Sequence, residues 1–432
     1  MTKRQTTLLR HLHTGIYDKS DGVKAHQHEG SSTSIRRVSN LDPGLAQGVI
    51  HGPQGYGPRR AWTLAKSIAD IILRAHLETL NTLYQPTIFS KMFLGSSTFL
   101  AASIALLSQA TSATSFGIPS RQQQGLYNSK VVFEAPNPTW LEGIAVRYNG
   151  QILTTTISGP MLLQVDPSQK RDSIVVAQIP GATGTLGITE LEKDVFYLSA
   201  GDMSNVTATS LVFPSKIWQV DMRPFRVNQQ GNIARPAKIS LVADLTNTTF
   251  VNTLSRLGPK DNSAILISDS GAGHILRLDV RTGISSVVIS DPTMLSTIPG
   301  AAGVTGIHIH GSELFYANFA ATTFFKMPIS LTTGMPTGPA TLITNGTLID
   351  DFTLSRDGKK AYACTNPRGQ LIEIDIPGQT FRPVAEGLNA TSAALGRGRF
   401  DRNSVYFVSG GGLDFPLTNP GVSGGRVVKV DL

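Results

Sequence analysis

The chain has 432 residues and carries 38 Lys/Arg against 30 Asp/Glu, a formal charge of +8. Residues 1–91 hold 12 of the basic and 6 of the acidic side chains, so the rest is close to neutral and lacks the dense basic patch of a nucleic-acid surface. Six of the nine histidines lie in the same stretch, leaving His274, His308 and His310, which argues against a histidine-built zinc site downstream.

In chain order, residues 11–60 are rich in Gly, Ser, His and Pro and read as disordered. Residues 61–80, AWTLAKSIADIILRAHLETL, have the spacing of an isolated amphipathic helix. From Lys91 the chain reads as one positive charge, an apolar run of about 15 residues, then small residues including Ala110 and Ala113. That layout, over 92–113, is a secretory signal, and its apolar run is short for a membrane span. Two readings of 1–91 stay open: translation begins at Met92 and the extension is a gene-model artefact, or the extension is made and the run is an internal anchor. Four sequons follow at Asn205, Asn247, Asn345 and Asn389, consistent with a glycosylated protein that is secreted or held in the secretory-pathway lumen.

Beyond residue 125 helical periodicity gives way to short apolar runs bounded by Gly, Asn and Asp. Five recur at a spacing of roughly 40–65 residues, the period of propeller blades: 141–156, 186–201, 304–318, 350–365 and 394–410. A sixth, 262–283, takes its first strand from TFVNTLSRL (249–257). Third strands follow at 161–167, 215–221, 273–279, 369–375 and 425–431, each carrying an aspartate at or near its end, suited to accept backbone hydrogen bonds in the next turn. The last reaches the C-terminus, so its blade needs an outer strand from KVVFEAP (130–136). The expected fold is all-β: a six-bladed β-propeller over 126–432 with an N-terminal strand closing the last blade. Cys364, the one cysteine, sits in the strand-like AYACT as a buried apolar thiol rather than a nucleophile.

Inner strands of a propeller converge, so residues at one end share a central pocket. Alignment on x-Gly-Ile makes Glu142, Leu186, Thr305 and Asp351 equivalent, with Asn252 of V-N-T-L joining them. Asp350 is expected to point away along its strand and to be structural. His308, three residues past Thr305, is expected on the opposite side of the sheet. Trp140 is a candidate pocket wall, and Asn318 and Asn366, at second-strand ends, are candidates for the rim.

These motifs resemble the senescence-marker-protein/gluconolactonase, or regucalcin-like, propellers across about 126–432. The resemblance implies a metal held by Glu, Asn and Asp, with a further Asn on substrate. Glu142 of E-G-I matches the Glu, Asp351 of D-D-F the Asp and Asn252 the further Asn, but Thr305 replaces the metal-binding Asn. The text 140–155 and the D-S-G-A-G run (269–273) are most similar to secreted fungal members, one branch of which comprises hetero-Diels–Alderases that join a tropolone-derived o-quinone methide to a humulene-type terpene. That branch implies a cofactor-independent cyclase with Glu142 and Asp351 as proton-handling residues. Trp140, Asn252, Thr305, Asn318 and Asn366 would then contact a small apolar substrate. A Ca²⁺-dependent lactonase, with one Ca²⁺ in the pore near Glu142, Asn252 and Asp351, is the first alternative. A non-catalytic ligand-binding propeller is the second.

Overall fold

The computed structural model describes residues 125–432 apart from 208–209, 388 and 414–422. The helix expected over 61–80 and the signal expected over 92–113 lie outside the described residues.

Among the described residues six four-stranded antiparallel sheets form the blades, with two short two-stranded ribbons beside them. The innermost strands of the blades are Leu141–Val146, Gly184–Glu190, Val251–Arg256, Val304–His310, Phe352–Leu354 and Ala390–Leu395. The sixth sheet takes its outer strand from the start of the propeller: Ser129–Glu134 pairs with Arg426–Asp431, with Ser129 opposite Val430 and Glu134 opposite Arg426. The closing strand thus falls where the sequence placed it, and it leaves no blade with an unfilled edge. The sixth inner strand begins at Ala390, four residues before the run at 394–410, because Ala393 and Ala394 pair with Phe407 and Tyr406.

The apolar side chains of each blade have little to bury against within their own sheet. They meet those of the next blade in six separate clusters, one between each adjacent pair, such as Phe196 with Leu153 and Leu162, or Phe324 with Phe352 and Ile372. The aspartates near the ends of the third strands do what their position suggests. Asp166, Asp221, Asp279 and Asp375 accept from backbone N–H groups of the following turn at 2.9, 3.0, 3.0 and 3.2 Å.

The glycine-bearing inner strands approach their neighbours with little room to spare. A Cβ on Gly143 would lie 2.6 Å from the Leu186 carbonyl, one on Gly187 2.3 Å from the Asn252 carbonyl, and one on Gly306 2.6 Å from Asp351. The glycine of the x-Gly-Ile motif is therefore the contact point of neighbouring blades. We expect Gly187→Ala to lower stability by about 1–3 kcal/mol, since the obstacle is backbone and cannot rotate away. An unchanged denaturant midpoint would show that the blades are not in contact there.

Candidate active site

A bulge recurs on the inner strands next to the axis. Pairing with the second strand slips between Leu141 and Ile144, Thr185 and Ile188, Val251 and Leu254, Val304 and Ile307, and Ala390 and Ala393. Such a bulge re-aims the extra residue. It sends Glu142, Asn252 and Thr305 toward a cavity at the end where the chain enters the inner strands.

In blade 5 the apolar partner that matches Ile144 and Ile307 is Phe352, opposite Ala363. The residue equivalent to Glu142 is therefore Asp350, and Asp351 takes the glycine position. This corrects the expectation by one residue. Asp350 does not point away: it lines the cavity, and Asp351 lies below it in a water-sized hollow of about 20 Å³ on the axis. Blade 6 likewise has Ser392 where other blades have glycine, and the Ser392 hydroxyl donates to Asp351 Oδ2 at 2.5 Å. His308 is also corrected. It lines the same hollow, with Nε2 3.0 Å from Asp351 Oδ1, instead of facing away. Packing around the axis decides these placements, and no local sequence signal shows which blades leave room for a side chain.

The main cavity measures about 920 Å³, toward the upper end for ligand sites. Trp140, Ile157, Val206, Phe250 and Leu413 belong to one apolar cluster and form a continuous wall. Gly300, Ala301, Ala302 and Phe319 line it as well, while Glu142, Asp350, Asn252, Thr305 and Asn366 supply the polar groups. The sequence reading of Trp140, Asn252, Thr305 and Asn366 as pocket residues agrees with this placement. The wall residues Phe250, Val206 and Leu413 carry no motif and were missed. Asn318 is a correction: it is buried away from the cavity, its amide donating to the carbonyls of Thr293 and Leu295 at 2.9 and 2.8 Å and accepting from the Ala321 N–H. Asn389 is another. Its Nδ2, the atom a glycan would need, donates to the Leu413 carbonyl at 2.6 Å, and the residue lines the cavity.

The electrostatics follow from enclosure. Burial pushes Glu142 well above the usual carboxylate range, and the nearby Asp350 adds to this, while the Trp140 indole N–H, donating to Oε2 at 2.5 Å, works the other way. Burial pushes Asp350 up to about 7 against the Asn366 amide, which donates to Oδ2 at 3.2 Å; the negative field of Asp351 adds to the rise. Two carboxyls in one enclosed site resist ionising together. Burial, with the same three carboxylates, also pushes the Cys364 thiol well up, as befits a core residue rather than a nucleophile.

A divalent cation of the regucalcin kind does not fit this donor set. At the three matching positions Glu142 and Asp350 are engaged by the Trp140 indole and the Asn366 amide, and the Thr305 hydroxyl donates to the Ile349 carbonyl at 3.2 Å. Among the described residues no group of three or more His, Cys, Asp or Glu is arranged to hold a metal.

Fold and site together define a six-bladed β-propeller with an acid-floored, apolar-walled cavity on its axis, and the luciferin-regenerating enzyme shares that fold, with 13% identity, a TM-score of 0.50 and 71% of this chain against 95% of that one covered. Two curated relatives carry the provisional name hetero-Diels–Alderase, in keeping with the fungal branch that the sequence resembles. The protein from a Phoma species is 24% identical over 320 residues, spanning 67% of this chain and 88% of its own length. The protein from Sarocladium schorii is 27% identical over 325 residues, spanning 64% of this chain and 77% of its own. No protein-family model matches the chain.

Proposed function

We propose that the protein is a cyclase that joins an o-quinone methide to an apolar alkene by a hetero-Diels–Alder reaction. The observation that carries this reading is a pair of buried carboxyl groups, Glu142 and Asp350, which enclosure biases toward the protonated form, on the floor of a large apolar-walled cavity. The names of the two relatives point the same way.

The reaction forms one C–C and one C–O σ bond and one new ring C=C, while the alkene π bond and the quinone methide's C=O and exocyclic C=C π bonds are consumed. The ring regains its aromatic character, and no proton is gained or lost. Catalysis therefore needs alignment of the two partners and a donor on the quinone methide oxygen, where negative charge accumulates. A protonated Asp350 or Glu142 provides the donor, and Asn366 and Trp140 fix the two carboxyls in place. The apolar wall accepts the alkene and excludes water, which would otherwise add to the quinone methide. If the quinone methide arises from an alcohol by loss of water, one of the acids protonates the departing hydroxyl, and the ring hydroxyl's proton passes to the carboxylate left behind, so that no proton is gained or lost overall.

The test is to generate an o-quinone methide from its alcohol in the presence of α-humulene and the purified chain. A single enantiomer of the cycloadduct, formed faster than background, is expected. A racemic product at the background rate would defeat the proposal. Calcium-dependent hydrolysis of an aldonolactone without cycloadduct would replace it with the lactonase.

We also propose that the protein enters the secretory pathway; the sequon residues Asn205, Asn247 and Asn345 are exposed, which supports their glycosylation. Endoglycosidase treatment of the secreted chain should raise its electrophoretic mobility, N389Q should leave the shift unchanged, and the triple variant N205Q/N247Q/N345Q should lose it. An unchanged shift in the triple variant would refute these sites.

A further inference from the structure

The D-S-G-A-G turn lies outside the acid floor, yet it contacts the cavity through one residue. Asp269 is buried at 1% exposure and accepts from the backbone N–H groups of Thr249, Phe250 and Ala272 at 2.9, 2.8 and 3.2 Å. Ser270 returns its own N–H to the Phe250 carbonyl at 2.9 Å, and its hydroxyl donates to the Val304 carbonyl at 2.5 Å, one residue before Thr305. Gly271 is required at this point, since a Cβ would lie 2.4 Å from Thr249 Cγ2. The Phe250 ring packs against Phe213, with centroids 5.7 Å apart, and lines the cavity within the apolar wall. Asp350 and Asn366, joined by a hydrogen bond, flank the blade of Phe352–Leu354, whereas Trp140, Val206, Phe250 and Leu413 of the apolar wall come from four other blades.

We infer that the cavity is divided into two subsites, with Phe250 as the specificity-determining residue for a hydrocarbon partner and Asp269 as the positioning residue that sets it. The oxygen-bearing partner occupies the Asp350–Asn366 side. This rests on the cyclase reading and adds to it which side chain recognises which reactant. With its backbone N–H held by Asp269 and its ring packed on Phe213, Phe250 loses little freedom on binding, and its ring offers a ligand apolar surface. Any ligand that met Phe250 and Asn366 with the same group would have to be both apolar and hydrogen-bonding at one point.

The experiment compares F250A, F250L, D269N and N366A with the unmodified chain. Binding of α-humulene and of tropolone is read separately by quenching of tryptophan fluorescence, and the KM of each reactant is read where turnover is measured. F250A should weaken α-humulene binding by about tenfold, the loss of one buried aromatic contact, and leave tropolone within about twofold. F250L should recover most of the loss. D269N should follow F250A, because an amide presents an N–H to donors that need an acceptor. N366A should show the reverse selectivity. If F250A weakens both probes equally, or neither, while the unmodified chain binds α-humulene, the division into subsites is wrong and the cyclase reading stands. If the unmodified chain does not bind α-humulene, both fall together.

Discussion

Asp350→Asn and Glu142→Gln should each lower kcat for cycloaddition by about 10²–10³-fold with KM changed little, the size of effect found when a preorganised donor to a developing oxyanion is removed. The reason lies in what each group touches. Both carboxyls open on the cavity, and burial biases both toward the protonated form that can donate. An amide keeps the shape and still donates, but far more weakly than a carboxylic acid. Asp351→Asn serves as the contrast. Its carboxylate is bonded to His308 and Ser392 in the axial hollow and meets no reactant. It should perturb stability more than turnover, with kcat within about tenfold of the unmodified chain. Steady-state kinetics on the three variants would decide. Equal losses in all three would mean that the axial residues, not the cavity pair, govern catalysis. No loss in any would remove the acids from the mechanism.

The second large effect is on stability as a function of pH. Asp350 titrates near its ordinary value when the chain is unfolded and at about 7 when it is folded. The folded state therefore holds a proton that the unfolded state has released. Protonation of Asp350 contributes stability that is fully present below about pH 4 and is lost as pH rises through about 7. Between pH 5 and pH 8 this group alone should lower stability by roughly 2–4 kcal/mol. Asp350→Asn has no proton to lose, so its stability should fall less over that range and overtake the unmodified chain at the alkaline end. Denaturant melts of both proteins at four or five pH values would show this crossover. Parallel curves would mean that Asp350 is solvated and ionised in the folded state. The same titration makes a direct kinetic statement: cycloaddition that depends on protonated Asp350 should decline as pH rises through about 7.

Sequence and structure divide the information unevenly. The blade count, the third strands with their terminal aspartates and the closing role of 130–136 were legible in the sequence, because strand periodicity and turn residues are local properties that recur blade after blade. Glu142 and Thr305 were legible as cavity residues because the x-Gly-Ile repeat records the bulge that aims them, and Asn252 because V-N-T-L stands at the matching place in its blade. The choice between Asp350 and Asp351 was not. On a strand, a shift of one residue exchanges the two faces, and in blade 5 the motif's glycine is an aspartate, so the repeat loses the mark that would set its register. The same holds for His308, drawn to the axis by Asp351, and for Asn318 and Asn389, whose amides are claimed by backbone carbonyls of other loops.

The amino-acid sequence by itself thus determined the architecture and which blades bear acids, since these follow from repeated local patterns. The tertiary structure alone decided which acid opens on the cavity, which fills the axis and which apolar side chains form the wall. Those outcomes depend on how closely six inner strands approach one another, and that distance is a property of the closed ring rather than of any one segment.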